Sequence, residues 1–363
     1  MKKILLGICG IGNGHFNRER QIISQLLLYD VTIVIAAPDN MKKVIGEVFP
    51  QLEYIPVTVP WIFCNNSGVD FKRTYLRYVE EGRDQFGSFL RFAMRVQEVF
   101  NGEQPDIVMT DYEPNVAQYA YATDLPLICL DQHSKFLILP DEYIEGHSVK
   151  IDKSRLLYFF PKANYRFVSS FVPLQETNDY NIVVIPPIIK RLKQYETRNL
   201  RKVIVYFSTY TSERGLYQKV LDLAGSLPMF DFIVYTDLHF DLQLANVEFR
   251  VIGESFNEEL KDCSFIISPA GHQLISEAIY LEIPLLVFPL DTYDQHFCAK
   301  EVEQNGFGYM LRDFTTSEVY KLVGEAESIR NRMKEFKRSY WKDSWENKMF
   351  SILEEQYGLE KRF

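Results

Sequence analysis

The feature that most limits this chain's fold is a repeated alternation. Short apolar runs rich in β-branched residues stop at Gly, Pro or Asp, and segments with helical spacing follow them. KKILLGIC, DVTIVIAAPD, LEYIPVTV, DIVMTD, LPLICLD, RFVSS and NIVVIPP are such runs in the first half. RKVIVYFST, DFIVYTD, VEFRVIG, SFIISPAG and IPLLVFPLD are their counterparts in the second. Between them, stretches such as RERQIISQLLLY place Ile22, Ile23, Leu26 and Leu27 on one helical face. Strands apolar at nearly every position have no solvent face and belong to parallel sheets covered on both sides by helices.

The chain therefore reads as α/β, with two Rossmann-like halves in tandem. Its 363 residues suffice for two domains. Pro186 and Pro187 stop a strand, and a charged stretch leads to the next one. The expected division is a first domain over 1–186, a linker over 187–200 and a second domain over 201–335. A helical, aromatic tail over 336–363 is expected to pack back on the first domain.

Composition removes several function classes. A net charge of -9 disfavours general nucleic-acid binding, which needs clustered Lys and Arg to neutralise phosphates. Five scattered cysteines with no CxxC pair suggest neither a zinc site nor a disulfide framework, and fit a reducing cytoplasm. The start MKKILLGICG imitates a signal peptide, but polar Asn13, Asn17, Arg18 and Glu19 come too soon after a short apolar run. No run approaches the ~18 apolar residues of a membrane span.

Ligands of open parallel sheets bind beyond the carboxyl ends of the strands. The loop after the first strand carries Gly10, Gly12 and Gly14, then His15. A dinucleotide fingerprint would need glycine where His15 stands, and its acidic partner would be the loosely placed Asp39, so a nicotinamide or flavin site is disfavoured. His15 can instead serve as a general base near pH 7. A histidine there can equally cap the helix or bond the backbone. Carboxylates gather at the same sheet edge: Asp111 and Glu113 after one strand, Asp131 with His133 after another. Any of these could orient the imidazole.

In the second half, Ser268-Pro269-Ala270-Gly271 ends a strand, and a helix starting at His272 or Gln273 carries Glu277. Backbone N–H groups at that helix start can cradle a diphosphate, and Glu277 can accept from ribose hydroxyls. Asp294 and Gln295 follow the next strand and could hold sugar hydroxyls. Ser208, Thr209, Ile252 and Gly253 lie at further strand ends of the same half and complete the candidate donor set.

These residues resemble a known family. SPAGHQLISEA with PLDTYDQHFCA is similar to the donor-binding domain of GT-B glycosyltransferases, in particular the lipid-linked N-acetylglucosaminyltransferase of peptidoglycan synthesis. Gly271, Glu277 and Asp294-Gln295 match that family's pattern. In the first half, GICGIGNGHFNRE, DYEP and LDQH resemble a bacterial and archaeal GT-B group with a GxGxGHxxR loop. The resemblance implies two Rossmann-like domains facing across a cleft. It further implies phosphate contacts near Gly271, ribose contacts from Glu277 and sugar contacts from Gln295, with His15 as acceptor-side base and Asp111 as its partner. Gly12, Asn13, Gly14, Arg18, Glu113, Asp131 and His133 form the implied acceptor side. Phe16-Asn17 depart from the small residues common after that histidine. Pro269 stands where plant-type enzymes have a phosphate-binding histidine, which argues against that branch.

The expected activity is transfer of a sugar from a nucleotide-sugar donor, UDP-linked by preference, to a hydroxyl of a glycan, glycolipid or small molecule. Inversion and independence from a metal or other cofactor are expected. A nucleotide-sugar hydrolase of the same fold is the alternative, with a 2-epimerase or a non-catalytic binding protein further off. Residues 69–100 mix aromatics with Lys72, Arg73, Arg77, Arg83, Arg91 and Arg95. The preferred expectation is an amphipathic helix pair covering the sheet. The other is peripheral contact with the inner face of a membrane or with a lipid-linked acceptor.

Overall fold

The computed structural model describes residues 1–10, 13–65, 67–192, 198–207, 214–253 and 255–362. The chain forms two compact units, Met1–Ile188 with Asp343–Phe363, and Ile189–Lys342.

The first unit opens with β1 (Lys2–Ile8), α1 (Asn13–Leu26), β2 (Val31–Ala37), α2 (Lys42–Val48) and β3 (Glu53–Pro56). A small hairpin, β4 (Cys64–Asn65) and β5 (Gly68–Val69), leads into α3 (Phe71–Glu80) and α4 (Gln85–Val99). Then come β6 (Ile107–Asp111), α5 (Pro114–Thr123), β7 (Leu127–Asp131), α6 (Lys150–Phe159), β8 (Tyr165–Ser169) and β9 (Ile182–Ile185). Seven strands build one sheet in the order β3-β2-β1-β6-β7-β8-β9, and every pairing in it is parallel.

Strand order reverses between β1 and β6, whose neighbours in sequence lie on opposite sides. Such a switch point opens a crevice at the carboxyl ends of the strands. Two glycines hold this part of the sheet tight. A Cβ on Gly7 would collide with the Val116 side chain of α5, and one on Gly10 would stand 2.8 Å from Pro38 Cγ. Gly7 in β1 and Gly10 in the loop after it therefore serve packing.

The second unit contains β10 (Lys202–Tyr206), α7 (Arg214–Gly225), β11 (Asp231–Tyr235), β12 (Val247–Arg250), α8 (Ser255–Leu260), β13 (Phe265–Ser268), α9 (His272–Leu281), β14 (Leu285–Val287), α10 (Tyr293–Gln304), β15 (Gly308–Met310) and α11 (Thr316–Tyr340). Its six strands run parallel in the order β12-β11-β10-β13-β14-β15, with a switch point between β10 and β13.

The chain leaves the first unit between Ile188 and Ile189, within the span expected as a linker. It returns at Asp343, not at the expected residue 336. The reason is α11, which buries Ile329 and Met333 and anchors its last turns through Lys337 Nζ to the Tyr280 carbonyl at 2.6 Å and to Glu282 at 3.0 Å. The final helix, α12 (Trp345–Tyr357), puts Trp345, Met349, Phe350 and Leu353 into the core cluster of the first unit. Lys348 Nζ also donates to the Val184 carbonyl of β9 at 2.7 Å.

Candidate active site

Helix α1 begins just past the end of β1, so His15 lies in its first turn and Arg18 one turn further along the same face. Asp111 is the last residue of β6 and pairs in register with Ile8 of β1. The switch point thus brings together side chains 96 residues apart in sequence. His15 Nδ1 lies 2.9 Å from Asp111 Oδ1. Arg18 Nη2 donates to Asp111 Oδ1 at 2.5 Å and Oδ2 at 2.6 Å. Asp111 is fully buried, Arg18 nearly so, and the His15 side chain remains 12% exposed.

Burial by itself would raise the Asp111 carboxyl, but Arg18 and His15 outweigh it and hold the group below the usual carboxylate range. An ionised Asp111 only accepts hydrogen bonds, so Nδ1 of a neutral His15 carries the proton. Arg18 Nη2, 3.1 Å from Nδ1, then makes a close contact there and not a hydrogen bond. Nε2 keeps its lone pair and has no hydrogen-bond partner among the described residues. This is the tautomer a general base requires.

Aromatic rings frame the imidazole. His133 stacks on His15, with centroids 5.9 Å apart and planes 19° apart, and Tyr112 tilts against His133 at 4.8 Å. Tyr112 adopts φ 56°, a strained conformation for a bulky residue. It lies directly between Asp111 and Glu113, where the chain turns from strand to helix.

Several residues expected on the acceptor side do other work. Arg18 is committed to Asp111 and has no exposed face to offer a ligand. Glu113 is fully buried as the N-cap of α5, accepting from Val116 N at 2.9 Å and from Asn115 Nδ2 at 2.7 Å, and burial pushes its carboxyl up to about 7. Asp131 turns back into its own loop, accepting from Ser134 N at 2.5 Å and Ser134 Oγ at 3.0 Å. Carboxylates at strand ends find backbone donors close by, which the spacing of a motif does not reveal. Gly14 lies in the first turn of α1, of which Asn13 is the first residue. Gly12 lies outside the described residues.

Glu19 was not singled out from the sequence as a site residue. Its side chain is fully buried, and neither carboxylate oxygen has a hydrogen-bond partner among the described residues. Burial drives its carboxyl well above the usual range, reinforced by Asp111 and opposed by Arg18. A signal was available. His15, Arg18 and Glu19 share the helical face of Ile22, Ile23 and Leu26, so charge on that face had to turn inward.

In the second unit, β13 delivers Ser268, whose buried hydroxyl has no partner among the described residues. Ala270 is fully buried, and Gly271 is the N-cap of α9 with no side-chain cap bond. A Cβ on Gly271 would meet no atom within 4 Å, so nothing in the fold itself requires glycine there. Gln273 Nε2 donates to Glu277 Oε1 at 3.0 Å, and burial pushes the Glu277 carboxyl up to about 7. His272 is buried in the first turn of α9. Asp294 lies in the first turn of α10, and Gln295 spends its carbonyl oxygen on Leu290 N at 2.8 Å. Ile252 and the exposed Gly253 follow β12. Ser208 and Thr209 lie outside the described residues.

A family model for glycosyl transferase family 1 matches residues 2–325. The chain belongs to that family. It is thus a glycosyltransferase, and the relatives agree. It is 22% identical over 373 residues to an uncharacterized glycosyltransferase of Methanosarcina mazei, covering 93% of each chain. A second such enzyme, from Methanosarcina acetivorans, is 22% identical over 385 residues, covering 98% of this chain and 99% of that one. Among solved structures, the spinosyn forosaminyltransferase SpnP superposes with a TM-score of 0.70 at 15% identity over 98% of this glycosyltransferase and 99% of that chain. UGT2 of Phytolacca americana superposes with a TM-score of 0.68 at 12% identity over 99% and 100%. The fold is GT-B, and no helix among the described residues is long and apolar enough to cross a membrane.

Proposed function

We propose that this glycosyltransferase moves a sugar from a nucleoside-diphosphate sugar, UDP-linked, to a hydroxyl of a glycan, a lipid-linked glycan or a small molecule, with inversion at the anomeric carbon. The Arg18–Asp111–His15 arrangement with its open Nε2 carries the reading. The acceptor oxygen attacks the anomeric carbon while its proton passes to His15 Nε2. The bond from that carbon to the donor phosphate breaks, and its electron pair leaves with the nucleoside diphosphate. Asp111 stabilises the imidazolium formed.

On the donor side, the N-terminus of α9, the unpartnered Ser268 hydroxyl and the open space over Gly271 support diphosphate binding there. Glu277 is the ribose acceptor of hydrogen bonds, and Gln295 with Asp294 meets the sugar. UDP is favoured because the fold neighbour from Phytolacca americana was solved with UDP-2fluoro-glucose. Helix α9 carries the leaving-group charge in this reading, so no metal is assigned. We place the enzyme in the cytoplasm, in keeping with five free thiols.

The test is thermal stability against a panel of nucleoside diphosphates, with and without magnesium. A ligand at 100 times its dissociation constant adds about 2.7 kcal/mol. UDP should stabilise the protein equally with and without magnesium. No shift with any diphosphate removes the donor assignment.

A further inference from the structure

Helices α3 and α4 carry a surface that glycosyl transfer does not explain. Helix α4 covers the first unit with Phe92 and Val96, as an amphipathic helix should. Its opposite face is also apolar: Phe86 is 70%, Leu90 44% and Met94 62% exposed, at i, i+4 and i+8. Helix α3 repeats the pattern with Phe71 at 65%, Tyr75 at 68% and Val79 at 59%. Outward stripes of this kind are rare on a solvated surface and mark contact with another phase or partner.

The charges beside the stripes indicate which. Residues 70–99 hold six Lys and Arg against five Asp and Glu, in a chain with 40 against 49. Four of those carboxylates are engaged locally. Asp70 and Asp84 cap the two helices, Glu81 bonds Arg77, and Glu98 bonds Arg95. Arg91 and Arg95 directly follow Leu90 and Met94 in sequence, and Lys72 and Arg73 follow Phe71.

We infer that α3 and α4 form a docking surface for an anionic lipid bilayer, with the apolar stripes entering the interface and Lys72, Arg73 and Arg91 meeting lipid phosphates. Ring contacts link this surface to the site. Phe71 meets Tyr158 at 6.0 Å, Phe159 joins Tyr158 at 5.1 Å to Phe160 at 6.2 Å, Phe160 meets Tyr112 at 5.4 Å, and Tyr112 meets the His133 that stacks on His15. The docking surface thus lies on the unit that carries His15. That this serves a lipid-borne acceptor rests on the proposed function; the docking itself does not.

The experiment is flotation of the full chain with phosphatidylcholine vesicles, with and without phosphatidylglycerol, at low and high salt. Recovery is expected with phosphatidylglycerol only, falling with salt. Lys72→Glu/Arg91→Glu should weaken it roughly 10-fold or more, and Phe86→Ser/Met94→Ser should abolish it. The UDP-induced thermal shift of each variant reports that it remains folded and tests the donor site separately. No flotation with either vesicle overturns the inference. So does flotation unchanged in both variants, or a dimer in sedimentation that Phe86→Ser/Met94→Ser dissolves.

Discussion

Arg18 donates from a single nitrogen to both carboxylate oxygens of Asp111, at 2.5 and 2.6 Å, with both side chains buried. This keeps Asp111 ionised where burial alone would protonate it, and so fixes which nitrogen of His15 carries the proton. Arg18→Met leaves Asp111 buried without its cation, a change worth about 3–5 kcal/mol. The sign with pH follows from the lowered carboxyl. Stability from Asp111 is complete above its unfolded value of about 3.9 and is lost only as pH falls through the folded one. Chemical denaturation from pH 3 to 8 should therefore show an acid-end decline that is steeper in the wild type than in Arg18→Met, which keeps only the part owed to other lowered carboxyls such as Glu259 and Glu303.

His15→Ala should lower turnover by ~10²–10⁴ while leaving UDP affinity as it is, because His15 and the candidate donor residues belong to different units. Steady-state rates with calorimetric UDP titration check both halves. A normal rate would end the general-base assignment.

Glu277 gives a second pH effect, of opposite sign. Its folded carboxyl is raised to about 7 by burial, against about 4.3 unfolded. Between those values the folded protein holds a proton that the unfolded chain has released, so ligand-free stability falls as pH rises across this window. Glu113 and Glu19, raised likewise, add to the slope, and Glu277→Gln should remove its own share, leaving a shallower slope. If the ionised form holds ribose, UDP affinity should rise through about pH 7 in the wild type and stay flat in Glu277→Gln.

Two glycines separate packing from binding. Gly271 has φ -77° and open space around its Cβ position, so Gly271→Val should fold normally and weaken UDP binding at least ~10-fold by filling the diphosphate cradle. A Cβ on Gly308 would enter the Leu285 carbonyl, so Gly308→Ala should cost about 1–3 kcal/mol or more. Melting temperature and UDP titration of the two variants distinguish these fates.

Much was determined by the sequence alone. Near-continuous apolar runs alternating with helical spacing favour parallel sheets covered on both faces, and the two halves repeat that pattern. Glycine and proline at the strand ends placed His15, Asp111 and Gly271 at carboxyl edges, because turns must occupy those ends. The tertiary structure decided what each polar group there does. Glu113 and Asp131 looked equivalent to Asp111 in the local spacing, yet both are spent on turns, and Arg18, implied on the acceptor side, is spent on holding Asp111. The reason is that a buried charge takes the nearest donor or counter-charge, and nearness across β1 and β6 is set by strand order, which no local spacing encodes. The outward stripes of α3 and α4 were likewise undecided, since helical periodicity names an apolar face without saying whether protein, lipid or water lies against it.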